Sequence, residues 1–265
     1  MCIAVFMWKA HPLYPFFLLL NRDEFHDRDT KPLGWWEDGK ILGGRDGVAG
    51  GTWLACSRDG RVAFVTNVRE LQSLPQAKSR GHLPVRFLLT KQGPKEYAEE
   101  VASEADLYNG FNLIVADLVT KTMFYVTNRA RDGPSVIEVP PGIHVLTNAS
   151  LDTPWLKAKR LEHSFREKMN NYNESEIPTK ELIETLMTNN VRDDFSLLPK
   201  IYPPEKEHQL SAIFVDCDTP LGRYGTRSTS AVTVKTSGEL NFFERYLEND
   251  SWREHGVGFQ ITHWH

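Results

Sequence analysis

At 265 residues, with 40% hydrophobic and 25% charged side chains, the chain has the composition of an ordinary globular protein and is long enough to bury a sizeable core. A net charge of -4, without a basic stripe interleaved with aromatics, gives no pull toward nucleic acid or an anionic membrane and argues against nucleic-acid binding. The three cysteines, Cys2, Cys56 and Cys217, are odd in number, widely spaced and lack C-x-x-C pairing, which is the usage of a reducing compartment and excludes a zinc ribbon.

Residues 1–8 and 15–22 read as a pair of short strands. Lys9 after the first apolar run, with Pro12 and Pro15 behind it, does not fit a secretory signal, so no secretion is expected. Phe16 to Leu20 is too short to span a bilayer and suits a strand buried on both faces. A polar loop containing Pro32, Gly34, Trp35 and Trp36 is expected next. Residues 50–57 and 61–67 then form a hairpin about Asp59-Gly60 that delivers Asn67 to a strand end. Helical spacing covers 83–91 and 95–105, interrupted at Gly93-Pro94. A second hairpin spans 110–117 and 123–127, followed by strands at 136–139 and 143–148. The longest helical pattern is 154–169, with Leu156, Ala158, Leu161 and Phe165 on one face, and a shorter helix follows at 179–187. Residues 192–209 are polar and proline-rich, the pattern of a surface excursion. Strands at 211–215, 230–236 and 239–247 and a closing segment at 252–261 complete the chain.

Hairpins rather than β-α-β crossovers dominate this order, and no linker divides it. The expectation is a single α+β domain over residues 1–265, with largely antiparallel sheets and helices on the outer faces. There is no internal repeat, P-loop, G-x-G-x-x-G, G-x-S-x-G or H-E-x-x-H.

Chemistry concentrates at the start. Removal of Met1 would leave a thiol and a free α-amine on Cys2, groups whose ordinary values of about 8.5 and about 7.7–8.0 allow local proton exchange near neutrality. A guanidinium such as Arg22 would favour the thiolate. In an extended strand Asn21 and Asp23 share one face and Arg22 and Glu24 the other, so Arg22 and Asp23 reach the same group only where the strand ends or bulges.

Met1-Cys2-Ile3, Asn21-Arg22-Asp23-Glu24, Gly50-Gly51-Thr52-Trp53, Tyr108-Asn109-Gly110-Phe111-Asn112-Leu113, Leu146-Thr147-Asn148 and Tyr224-Gly225-Thr226-Arg227 occur in that order. Together they resemble the NRDE family, also called transport and Golgi organisation protein 2. That family is more distantly similar to cysteine N-terminal-nucleophile hydrolases such as bile salt hydrolase, penicillin V acylase and acid ceramidase. The resemblance implies a four-layer α-β-β-α sandwich. It also implies Cys2 as nucleophile, Asn148 as oxyanion-hole amide, Asn67 as a second asparagine after a central strand and Arg227 as their late arginine. Arg22 would support the thiolate and Asp23 the protonated α-amine, with Asn21, Glu24 and Trp53 near the ligand.

Three functions stay open at this point. The chain is a cysteine hydrolase of an acyl amide or thioester, or a non-catalytic carrier of acyl-coenzyme A or haem in lipid or haem homeostasis, or an organiser of Golgi membranes. No cofactor is required for the first, and haem enters only as a carried ligand. Nine histidines, including His263 and His265, do not single out an axial ligand. Arg22, Arg69 and Arg227 are the cations expected to meet coenzyme A. The partner is thus expected to be a small acyl ligand or haem, and the protein itself, without a transmembrane segment, is expected in the cytoplasm, in association with mitochondria or the Golgi.

Overall fold

The opening strand pair sets the layers. In a computed structural model describing residues 2–130 and 135–264, β1 (Cys2–Trp8) and β2 (Phe16–Phe25) pair antiparallel, with Cys2 opposite Arg22 and Trp8 opposite Phe16. Alternation then sorts their side chains. Ala4, Phe6, Trp8, Phe16, Leu18 and Leu20 face one apolar core, whereas Ile3, Val5, Met7, Phe17 and Leu19 face another. A sheet apolar on both faces must be covered on both.

One sheet has the order β10 (Gly142–Leu146), β1, β2, β12 (Gly222–Val234), β13 (Glu239–Glu248), β14 (Ser251–Gln260), with β11 (Asp216–Thr219) also paired to β12. The second runs in chain order through β3 (Thr30–Trp35), β4 (Ile41–Asp46), β5 (Leu54–Ser57), β6 (Arg61–Asn67), β7 (Phe111–Asp117), β8 (Thr122–Thr127) and β9 (Val136–Glu138). All strand pairs described are antiparallel. The sheets pack face to face through Phe6, Leu18, Phe64 and Ile114. α1 (His82–Leu89) and α2 (Pro94–Ser103) cover the outer face of the second sheet through Phe87, Tyr97 and Val101. α3 (Leu156–Asn170) and α4 (Thr179–Leu182), which continues as a π-turn over Ile183–Met187, cover the first through Leu161, Phe165 and Leu182. The result is the four-layer α-β-β-α sandwich of an α+β protein. No helix among the described residues is long and apolar enough to cross a membrane.

Three expectations need correction. The polar loop around Pro32, Gly34, Trp35 and Trp36 is instead largely the β3–β4 pair. Pro32 cannot donate to a ladder, and the register shifts between Lys31 and Gly34, so the edge strand carries no clean alternation in sequence. Residues 211–215 are not a strand; pairing begins at Asp216, and β12 starts at Gly222, eight residues earlier than its apolar run suggests. Within 192–209, α5 (Pro204–Gln209) buries Glu207, which accepts backbone N–H bonds from Lys200, Ile201 and Tyr202 at 2.6, 2.9 and 3.0 Å. Met1 and His265 lie outside the described residues.

One buried group makes stability depend on pH. Both ring nitrogens of His144 on β10 face acceptors, Nδ1 the Asp152 Oδ2 at 2.8 Å and Nε2 the Pro140 carbonyl at 2.9 Å. Burial opposes the charged ring, but these acceptors outweigh it and the net displacement is upward; only an imidazolium donates from both nitrogens. His144 therefore stabilises the fold fully below the unfolded value of about 6.5 and loses that contribution as pH rises through its raised folded value. The urea-midpoint difference between wild type and His144→Gln is expected to be larger at about pH 5.5 than at about pH 8.5; equal differences would contradict it.

A candidate active site where the first two strands end

Cys2 is 8% exposed and lies on the inter-sheet face of β1, directly across the ladder from Arg22. It opens onto a cleft of about 1110 Å³, slightly larger than small-molecule sites usually are. Arg22, Asp23, Glu24, Trp53, Thr66 and Asn67 line the same cleft. The Arg22 guanidinium stacks over the Trp53 ring at 4.2 Å and donates to Thr30 Oγ1 at 3.3 Å. Trp53 has its place because residue 44 is glycine: a Cβ there would fall 2.3 Å from the indole. Glycine at 51 does the same for backbone. A Cβ would meet the Gly81 carbonyl carbon at 2.4 Å, and the close approach lets Thr52 N–H donate to Gly81 O at 2.9 Å.

That contact delivers a residue the sequence reading missed. Arg80 lines the cleft, donates through Nη1 to the Gly110 carbonyl at 2.9 Å, and feels the charges of Glu70, Cys2 and Glu24. Nothing local marks it, because it sits in a loop and reaches the site only when two glycine backbones meet.

Burial is the largest influence on the Cys2 thiol and pushes it above its ordinary value. The positive amino terminus opposes this, the Asp23 charge adds to it, and the Asp23 backbone N–H and Arg22 oppose it more weakly. Arg22 thus contributes less to the thiolate than adjacency in the ladder suggests. Asp23 occupies the other face of β2, where Thr226 Oγ1 donates to its Oδ1 at 2.8 Å; burial raises its carboxyl to about 6, against the amino terminus and Lys157. The opposite orientation expected of Arg22 and Asp23 is what the strand adopts. Both still border the cleft, because the ladder ends there.

The remaining expected residues divide. Asn67 lines the cleft, and the Asn148 amide donates to its backbone carbonyl at 3.0 Å and its side-chain oxygen at 3.1 Å. Asn148 is fully buried and stands behind Asn67. Glu24 accepts from the Phe25 N–H at 2.9 Å and lies 3.8 Å from Arg28. Asn21 faces the helix layer instead, donating to the Met187 and Ile213 carbonyls at 2.8 and 3.0 Å and accepting from Thr229 Oγ1 at 2.6 Å. It ties that layer to β2. Arg227 is the extra residue of a β-bulge between Thr226 and Ser228. Its guanidinium braces the turn after β2, donating to the Phe25 and Arg28 carbonyls, and lies between the sheets near Glu244. The structure therefore brings together Cys2, Arg22, Asp23, Glu24, Trp53 and Asn67, with Asn148 behind them; Arg227 adjoins Arg22, both guanidiniums donating to Thr30 Oγ1 at 3.3 Å, without lining the cleft, and Asn21 faces the helix layer.

The family model for Transport and Golgi organisation 2 matches residues 1–249. The chain belongs to this family. A mouse member, Transport and Golgi organization 2 homolog, is 33% identical over 99% of both chains. The human Transport and Golgi organization protein 2 homolog is 35% identical over 93% of both. Among solved structures, the mutant C2A conjugated bile acid hydrolase from Clostridium perfringens matches with a TM-score of 0.50 and 9% identity over 100% of this chain and 98% of that one. This likeness is one of fold. The chain is thus a transport and Golgi organisation 2 family member with an N-terminal-nucleophile-hydrolase-like sandwich.

Proposed function

We propose that the protein is a cysteine hydrolase of an acyl amide or thioester, with Cys2 as nucleophile once Met1 is removed. The observation that carries this reading is the convergence of Cys2, Arg22, Asp23 and Asn67 on one large cleft at the end of β1 and β2. Burial keeps the resting thiol protonated, so attack needs a base, and the α-amine freed by processing, at about 7.7–8.0, is the nearest group of suitable strength. It accepts the thiol proton as Sγ bonds to the acyl carbon, then passes it to the departing amine or thiol. Water attacks the resulting acyl-enzyme thioester, and its proton returns through the amine to Sγ as the acid leaves. In this reading the Asn67 amide, which lines the cleft, donates to the oxyanion of each tetrahedral intermediate.

Limiting iodoacetamide at neutral pH, read by peptide mass spectrometry of natively purified protein, tests the first requirement. The expected result is loss of Met1 and alkylation of Cys2 well ahead of Cys56 and Cys217, which burial also holds as thiols. Retained Met1, or equal reactivity of all three, would remove the base and with it the mechanism.

A second reading is carriage of acyl-coenzyme A, which the cations Arg28, Lys78, Arg80 and Lys206 along the cleft favour. In that form the protein would serve lipid homeostasis in the cytoplasm, at mitochondria or at the Golgi, the last supported by the family's name. Haem fits the cleft less well. Among the described residues no histidine lines it, and burial holds Cys2, Cys217 and Tyr224 in their neutral, weakly ligating forms.

A further inference from the structure

Lys157 occupies the first turn of α3, beside Ala158, in a helix whose Leu161 and Phe165 pack on the first sheet. A lysine near a helix end ordinarily extends its stem and leaves the ammonium in water. Here the residue is 2% exposed. Burying an ammonium is costly unless other groups compensate, so its surroundings identify what it serves. Nζ donates to the Leu210 carbonyl at 3.1 Å. Leu210 lines the cleft, and also a smaller cavity of about 190 Å³ that Lys157 shares with Arg69, Trp155 and Asp193. The ammonium is therefore seated at the wall common to both cavities, on the helix side of the first sheet. Asp23 points to that side as well, because it shares a face of β2 with Asn21, whose amide reaches Met187 in the helix layer.

The charges agree with the geometry. Lys157 acts on Asp23 more strongly than the neighbouring Arg22 does, and Asp23, Asp193 and Cys2 all act back on Lys157, against Arg69. The other ionisable groups described around the pair include the amino terminus, Tyr224 and Cys217, with Glu207 paired to Arg69 at 3.5 Å and Asp193 ion-paired to Arg160. Burial lowers Lys157 to about 8 and raises Asp23 to about 6, so both are charged in the interval between.

We propose that Lys157 is a positioning residue of the candidate active site: from the helix face of β2 it keeps Asp23 ionised, so that this carboxylate can hold the α-amine of Cys2. The division of labour follows from strand geometry. Arg22 faces the thiol between the sheets, and Asp23, turned the other way, takes its cation from α3. The purpose assigned to Asp23 rests on the hydrolase reading, whereas the charge coupling between Lys157 and Asp23 does not.

The test is a carboxyl-carbon NMR titration of the full-length protein labelled at aspartate, with Asp23→Asn used for assignment. In wild type Asp23 should titrate near 6. Lys157→Gln, which keeps a donor for the Leu210 carbonyl but no charge, should raise that midpoint by about one pH unit or more, and Lys157→Arg should restore it. A Lys157→Gln midpoint within about 0.3 unit of wild type would overturn the proposal. Should Lys157→Gln fail to fold, wild type labelled at lysine Cε decides. The Lys157 signal must show an inflection at the Asp23 midpoint, and a signal without one overturns the coupling. Cys2 alkylation measured on the same samples separates the two ideas. A wild-type Cys2 no faster than Cys56 ends the hydrolase reading and the purpose given to Asp23, while the Asp23 midpoint alone decides the coupling.

Discussion

Replacing Cys2 with alanine is expected to abolish acyl-amide or thioester hydrolysis, lowering kcat at least ~10³-fold, while leaving the melting temperature within about 3 °C of wild type. The chemical loss is complete, since alanine has no atom that can form the acyl-enzyme. The structural loss is small. Cys2 borders the cleft rather than the closed inter-sheet core, so removing one sulfur leaves space continuous with solvent instead of a sealed cavity. Alanine is also small enough for Met1 to be removed, so processing does not confound the result. A carrier behaves differently: Cys2→Ala would leave ligand affinity nearly unchanged, because one sulfur atom contributes little to a contact surface of this size. Residual hydrolysis in Cys2→Ala at more than about a tenth of the wild-type rate would place the nucleophile elsewhere and end the Cys2 mechanism.

Much of this architecture is legible in the sequence because the first sheet announces itself. A run such as Phe16 to Leu20, apolar without interruption and too short for a membrane, is understood only as a strand covered on both faces, and that requirement alone demands layers on either side. The site is legible to a different extent. Alternation correctly separates Arg22 from Asp23, but the consequence, that each draws on a different layer, needs the fold. Lys157 is hidden because a lysine on an amphipathic helix reads as solvated. Arg80 is hidden because its position depends on the approach of Gly51 to Gly81. Arg227 shows the converse: alternation cannot assign a side chain at a bulge, where one extra residue breaks the period.

Asn67→Ala is expected to lower kcat by about 10²-fold or more with little change in KM, the signature of a donor that acts in the transition state. The resemblance to bile salt hydrolase and its relatives assigns the oxyanion role to Asn148, yet Asn148 Nδ2 is committed to two oxygens of Asn67, and Asn148 does not line the cleft. Asn67 does line it, at the end of β6. In the proposed mechanism Asn148 then acts by holding Asn67 in place. Asn148→Ala should cost on the order of tenfold in kcat, together with about 1 kcal/mol of stability from the loss of its two bonds to the half-buried Asn67. Asn67→Ala removes the oxyanion donor and leaves the backbone carbonyl bonded, so its stability loss should be the smaller of the two. The comparison is decisive because the two assignments reverse the order. If Asn148→Ala lowers kcat more than Asn67→Ala in proteins of equal folded fraction, the Asn148 amide swings into the cleft during catalysis and Asn67 is its support.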